Sequence, residues 1–79
     1  MNRVEIRELF VAAVMEYRDL GPSKAVRRFL AGIGWSASTI AAATRDLSAV
    51  LARCSRDGVT DSAAISDVVA DWVLDRVSA

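Results

Sequence analysis

The sequence predicts an all-α fold, a compact bundle of about four helices. Hydrophobic residues make up 53% of the 79 residues, and they recur every three or four positions instead of alternating. Glycine and proline interrupt this pattern at only three places: Gly21-Pro22, Gly32/Gly34 and Gly58. These breaks predict four helices, at about residues 2–20, 23–31, 36–56 and 61–77.

The first predicted helix has apolar residues on two faces. Asn2 is placed to cap it, and Glu5 lies in its first turn, where the positive end of the helix dipole favours an acidic side chain. One stripe at helical spacing comprises Ile6, Leu9, Phe10, Ala13, Tyr17 and Leu20. A second stripe, Val4, Val11 and Met15, lies on roughly the opposite face. A helix that is apolar on two faces is usually covered on both, so this second stripe predicts self-association.

The second and third helices are predicted to flank a tight, glycine-rich turn. Pro22 ends the first helix and Ser23 is the expected cap of the second. Ser36 is the expected cap of the third helix, whose apolar stripe is Ile40, Ala43, Leu47, Val50, Leu51 and Cys54. Cys54 therefore lies in line with core positions, which predicts a buried and inert thiol.

The fourth predicted helix begins at Thr60 or Asp61, and Gly58 ends the helix before it. Its broad apolar surface comprises Ile65, Val68, Val69, Trp72, Val73 and Val77. Aspartates at positions 67, 71 and 75 form a ridge along one face. This ridge is either a solvated surface or one that repels DNA or binds a basic partner.

Length and composition restrict the function. The 79 residues predict a single domain, 1–79, with a thin stability margin. The one cysteine cannot form an internal disulfide and indicates a reducing compartment. With no histidine, neither a zinc centre nor the usual acid–base and nucleophilic catalysis is expected, so we predict no enzyme activity, metal or cofactor. The longest apolar run, Leu9 to Met15, is about a third of the ~20 residues that cross a bilayer. The sequence therefore predicts a cytoplasmic protein that does not associate with membranes, and a composition rich in alanine, valine and arginine indicates a bacterial or phage origin.

Charge is unevenly distributed along a chain whose net charge is zero. Residues 18–56 contain seven basic and two acidic residues, whereas residues 57–79 contain one basic and five acidic residues. A basic middle followed by an acidic end is a pattern that a function should explain.

The segment from Gly34 to Ile40, followed by Arg45-Asp46-Leu47, carries the functional signal. Glycine accepts the positive φ of a turn, Trp35 can fill the space between two helices, and Ser36 can cap the second one. Two helices joined by a short turn need apolar residues that face each other across it. The residues with this spacing are Phe29, Ile33, Trp35, Ile40 and Leu47. The segment resembles the turn and recognition helix of bacterial helix-turn-helix DNA-binding regulators.

The resemblance covers about residues 23–53 and implies a double-stranded DNA partner. It implies that the third helix enters the major groove while cations on the second helix meet the backbone. The residues to which it gives DNA contacts are Lys24, Arg27, Arg28, Ser36, Ser38, Thr39, Ala42 and Arg45. The sequence departs from the family at Leu30, where a small residue is usual, and at Ala43, where a larger aliphatic residue is usual.

Two functions are therefore predicted from the sequence. The first is a small DNA-binding transcriptional regulator that acts as a homodimer. The expected interface residues, for a dimer or another partner, are Val4, Val11, Met15, Val69, Trp72 and Val73. The alternative is a protein–protein interaction module, such as a small phage- or plasmid-encoded inhibitor, an antitoxin-like protein or an adaptor, which would use the same apolar surfaces.

Overall fold

The computed structural model describes residues 1–78 and confirms the all-α bundle of four helices. The helices are α1 (Arg3–Tyr17), α2 (Pro22–Gly32), α3 (Ala37–Arg56) and α4 (Ser62–Ser78). They pack in a ring, in which α1 contacts α2 and α4, and α3 contacts the same two helices. Within residues 1–78, the backbones of α1 and α3 are not adjacent, and these two helices lie diagonally across the ring. None of these four helices is both long and apolar enough to cross a membrane.

The core lies where the four inward faces meet. Its buried members are Ile6, Phe10, Ala13, Val26, Phe29, Leu30, Ala43, Leu47, Val69, Ala70 and Val73. The rings of Phe10 and Phe29 meet edge to face, with centroids 5.4 Å apart and planes at 85°. This contact joins α1 to α2 at the centre of the fold, in the arrangement that aromatic quadrupoles favour. Cys54 is buried, as its position in the apolar stripe predicts.

Capping side chains set three of the four helix starts. The Asn2 side chain accepts a hydrogen bond from the Glu5 amide, and Asp61 accepts one from the Ala64 amide. Both confirm the predicted caps. The prediction that Ser23 caps α2 is wrong, because the N-cap lies two residues earlier, at Gly21, and Pro22 is in the first turn. Proline is suited to this position because its missing N–H would have no intrahelical partner there.

The first helix is shorter than its apolar pattern suggests. It ends at Tyr17, and Leu20, which belongs to the predicted inward stripe, is exposed. The Leu20 amide bonds to the Tyr17 carbonyl in a turn that leads to Gly21, where φ is +97°. The chain therefore leaves the helix before the last apolar residue can reach the core.

Candidate nucleic-acid interface

The turn between α2 and α3 is built from a glycine and a serine in fixed roles. Gly34 has a φ of +91°, and its amide bonds to the Ala31 carbonyl, while the Trp35 amide bonds to the Leu30 carbonyl. This is the paired hydrogen-bond pattern by which a left-handed glycine closes a helix. The Ser36 hydroxyl then accepts the Thr39 amide and starts α3. Both predicted roles are confirmed.

The inward residues of this turn pack as the sequence predicts. Phe29 and Leu47 are fully buried, and Ile33, Trp35 and Ile40 are half-buried against the core. The departures at Leu30 and Ala43 are both accommodated inside the fold, because both side chains are buried in the same cluster. We call residues 22–56, which comprise α2, the turn and α3, the α2–α3 unit.

The α2–α3 unit carries cations that have no carboxylate partner in the molecule. Lys24 and Arg27 lie on the exposed side of α2, and Arg45, Arg53 and Arg56 are exposed on α3. In the part of the chain that the structure describes, no carboxylate lies within ion-pair distance of these five side chains. Arg28 differs, because its Nε is 4.0 Å from a Glu16 carboxylate oxygen on α1.

The outward face of α3 alternates small and cationic side chains. Ser38, Ala42 and Arg45 follow one another at spacings of four and three residues, which places them on one helix face. The same face continues through Ala49, Ala52 and Arg56. The structure thus brings together three predicted DNA-contact residues and adds Arg53 and Arg56, which the resemblance does not identify. The sequence feature that could have identified these two arginines is their spacing of eight and eleven residues from Arg45.

The three hydroxyls at the start of α3 interact with one another. The Ser36 Oγ lies 3.3 Å from the Ser38 Oγ and 2.9 Å from the Thr39 Oγ1. Ser36 is therefore occupied mainly with capping the helix. Ser38 and Thr39 are exposed, and their remaining hydrogen-bonding capacity faces solvent at the positive end of the α3 dipole.

The end of α4 packs against the turn before α3 through a second aromatic pair. The Trp35 and Trp72 ring centroids are 5.8 Å apart, and the Arg76 guanidinium lies 4.3 Å from the Trp72 centroid. Arg76 also donates a hydrogen bond of 2.7 Å to the Asp46 carboxylate. Asp46 is the one acidic residue of the α2–α3 unit, and Arg76 neutralises it.

The acidic ridge of α4 is largely paired with α1. Arg3 bonds to Asp71 and approaches Asp67, and the Arg7 Nε lies 3.3 Å from an Asp67 carboxylate oxygen. The hydrogen bond from Arg3 to Asp71 and the charge of Asp71 raise the pKa of Arg3 above its ordinary value. At Asp67 and Asp71 the ridge is therefore part of the contact between α1 and α4. We call the four residues Arg3, Arg7, Asp67 and Asp71 the α1–α4 seam.

The predicted interface residues fall into three groups: exposed, buried and half-buried. Val4, Val11 and Met15 are exposed on α1. Val69 and Val73 are only 0% and 3% exposed, so the prediction that they form an interface is wrong. They face inward because the ring of helices uses this side of α4 to close its own core. Trp72 is half-buried and is engaged by Trp35 and Arg76.

Comparison of the chain with protein-family models, with curated proteins and with solved structures gives no significant match.

Proposed function

We propose that the protein binds double-stranded DNA through the α2–α3 unit and acts as a small transcriptional regulator. The observation that carries the proposal is the distribution of unpaired cations. Among the described residues, five exposed cations of this unit have no carboxylate partner, and its single acid is neutralised by Arg76. Phosphate contacts provide much of the affinity of DNA-binding proteins, and they require cations that are not already paired.

The shape of α3 supports the same proposal. Its outward face carries alanines between Ser38 and Arg45, and short side chains let a helix approach base edges closely. Arg45 is the side chain on the first turns that can make a bidentate contact with guanine. Lys24 and Arg27, on the preceding helix, are placed to meet phosphates in this binding mode.

The length of α3 limits which residues take part. Arg56 lies eleven residues beyond Arg45, which is about 16 Å along a helix, whereas the major groove is about 12 Å wide. We therefore expect base contacts from the first turns of α3 and, at most, backbone contacts from Arg53 and Arg56.

The test is binding to duplex DNA by fluorescence anisotropy at about 50 and 200 mM salt. We expect salt-sensitive binding, and Lys24→Ala with Arg27→Ala should weaken it on all sequences and lower the salt slope by about two. Arg45→Ala should mainly reduce preference between sequences, by about 1–3 kcal/mol. The matched control is Arg3→Ala with Arg7→Ala, which removes the same charge from the α1–α4 seam. Equal losses from both double variants, or no binding at the lower salt, would contradict the proposal.

A second function is supported by the uncovered apolar residues of α1. A protein–protein interaction module would use Val11 and Met15 to pack against a helix of its partner. Val11→Glu should then abolish activity while the circular dichroism spectrum and the self-association of the chain stay unchanged. Retained activity in that variant would exclude this surface from function.

A further inference from the structure

The exposed stripe of α1 has the spacing of helices that pack lengthwise. Val4 and Met15 are 58% and 68% exposed, and Val11, which is 38% exposed, lies between them. Glu8 and Arg18 complete the stripe, so its five members follow one another at steps of four, three, four and three residues. This is the spacing at which side chains of two neighbouring helices interdigitate.

The surface beside the stripe has room for side chains of a second molecule. A groove of about 470 Å³ separates α1 from Pro22, Leu51 and Ile65. A second groove, of about 600 Å³, lies between α1 and the small residues Ser62, Ala63 and Ser66 at the start of α4. Met15 borders both grooves. In a two-fold interface, the same surface of both copies must fit together. A ridge that lies next to grooves meets this requirement, because the ridge of each copy can enter a groove of the other.

Charge on the stripe favours one orientation of a second copy. Glu8 lies in the N-terminal half of α1, and Arg18 follows its last residue with helical backbone angles. Neither side chain forms an ion pair within residues 1–78. A parallel pair of α1 helices would place each charge against its like, whereas an antiparallel pair places Glu8 against Arg18.

We infer that two copies of the chain associate through α1 in an antiparallel, two-fold arrangement. One register pairs both the apolar and the charged members of the stripe. The midpoint is residue 13 for Glu8 with Arg18 and also for Val11 with Met15, so both pairs meet at the same alignment of the two helices. Each copy then places its Met15 against Val11 of the other, and two Glu8–Arg18 ion pairs flank this apolar centre. The inference does not depend on DNA binding, since the stripe lies outside the α2–α3 unit.

The first test is the mass of the protein in solution, measured by sedimentation equilibrium without DNA. We expect a concentration-dependent dimer, and Met15→Glu should weaken it by about a hundredfold, since two desolvated charges enter the interface. Met15 is exposed, so the variant should keep the helical content of the wild type by circular dichroism. A wild-type chain that stays monomeric at high concentration would overturn the inference and leave the stripe to a different partner.

The second test is a charge exchange, which isolates the orientation. Glu8→Arg alone and Arg18→Glu alone should each weaken the dimer about tenfold, because each creates two like-charge contacts. The two substitutions together should restore association to nearly the wild-type level. Arg27→Glu, on α2, is the matched control and should leave the dimer intact. Single variants without effect, or a double variant no better than the singles, would overturn the antiparallel register.

These outcomes are separable from those for DNA. Arg27→Glu is expected to lower DNA affinity and leave the mass unchanged, whereas Met15→Glu is expected to produce monomers whose α2–α3 unit is intact. Loss of dimerisation by the Arg27 variant would show that the two surfaces are not independent and would contradict the α1 interface.

Discussion

The two halves of this bundle, α1 with α4 and α2 with α3, use their basic residues in opposite ways. In the α1–α4 seam, Arg3 and Arg7 are matched by Asp67 and Asp71 across the helix contact. In the α2–α3 unit, five cations remain without a carboxylate partner among the described residues. The zero net charge of the chain thus combines a basic α2–α3 unit, with six basic residues and one acidic residue, and an acidic remainder, with four basic and nine acidic residues. On the proposed function, the α2–α3 unit is available to a polyanion because its cations are not matched by nearby carboxylates, whatever the net charge of the chain.

The largest expected effect comes from breaking the contact that joins the halves. Phe29 is fully buried and meets Phe10 edge to face, so Phe29→Ala should destabilise the fold by about 3–5 kcal/mol. Because a small domain has only about 5–15 kcal/mol of stability in total, we expect this variant to be partly or fully unfolded. Urea denaturation followed by circular dichroism measures it. Wild-type stability would show that the two halves do not share this core.

A smaller effect is expected at the turn that presents the basic side. Gly34→Ala should cost about 1 kcal/mol or slightly more, because alanine resists the φ of +91° although no atom lies within 4 Å of the added methyl group. Gly32→Ala is the control, since its added Cβ would lie 3.8 Å from Leu9 in ordinary contact. This control should leave stability unchanged or raise it. Equal denaturation midpoints for both variants would refute the role of Gly34 in closing α2.

Arg76 connects the two halves electrostatically, and its loss should be modest. Arg76→Ala removes the hydrogen bond to Asp46 and the contact with Trp72, which together contribute about 1 kcal/mol at a partly exposed site. It also leaves the Asp46 carboxylate unneutralised beside Arg45. We therefore expect a slightly lower denaturation midpoint and weaker DNA binding at low salt. Restoration of DNA affinity by the added change Asp46→Asn would confirm the electrostatic cause.

The smallest expected effect is at the exposed end of the α1–α4 seam. Arg3→Ala removes contacts with Asp67 and Asp71 that are open to solvent, where ion pairs contribute little. The denaturation midpoint should fall only slightly, and the difference from wild type should vanish in high salt. A large loss that persists in high salt would show that the ion pairs of the seam, and not apolar packing, hold α1 and α4 together.

Much of the fold follows from local features of the sequence. Asn2, Ser36 and Asp61 cap helices where their positions predict, and Gly34 and Gly58 end helices with positive φ. These features act within one turn of chain, so they can be identified without knowledge of distant contacts. Ser23 is the exception, because the preceding proline already suits the first turn of a helix and the N-cap lies two residues earlier, at Gly21.

The placement of the candidate surfaces depended on packing between helices. The sequence determined that α4 is apolar on a broad face, but only the ring arrangement decided that Val69 and Val73 fill the core while Val4 and Met15 stay exposed. It likewise determined that residues 18–56 are basic, but not which cations would be matched. That outcome depends on which helices lie side by side, because an ion pair requires two side chains within about 4 Å, often from residues distant in the chain. Periodicity defines the faces of each helix, and tertiary contacts decide which of those faces remain available to a partner.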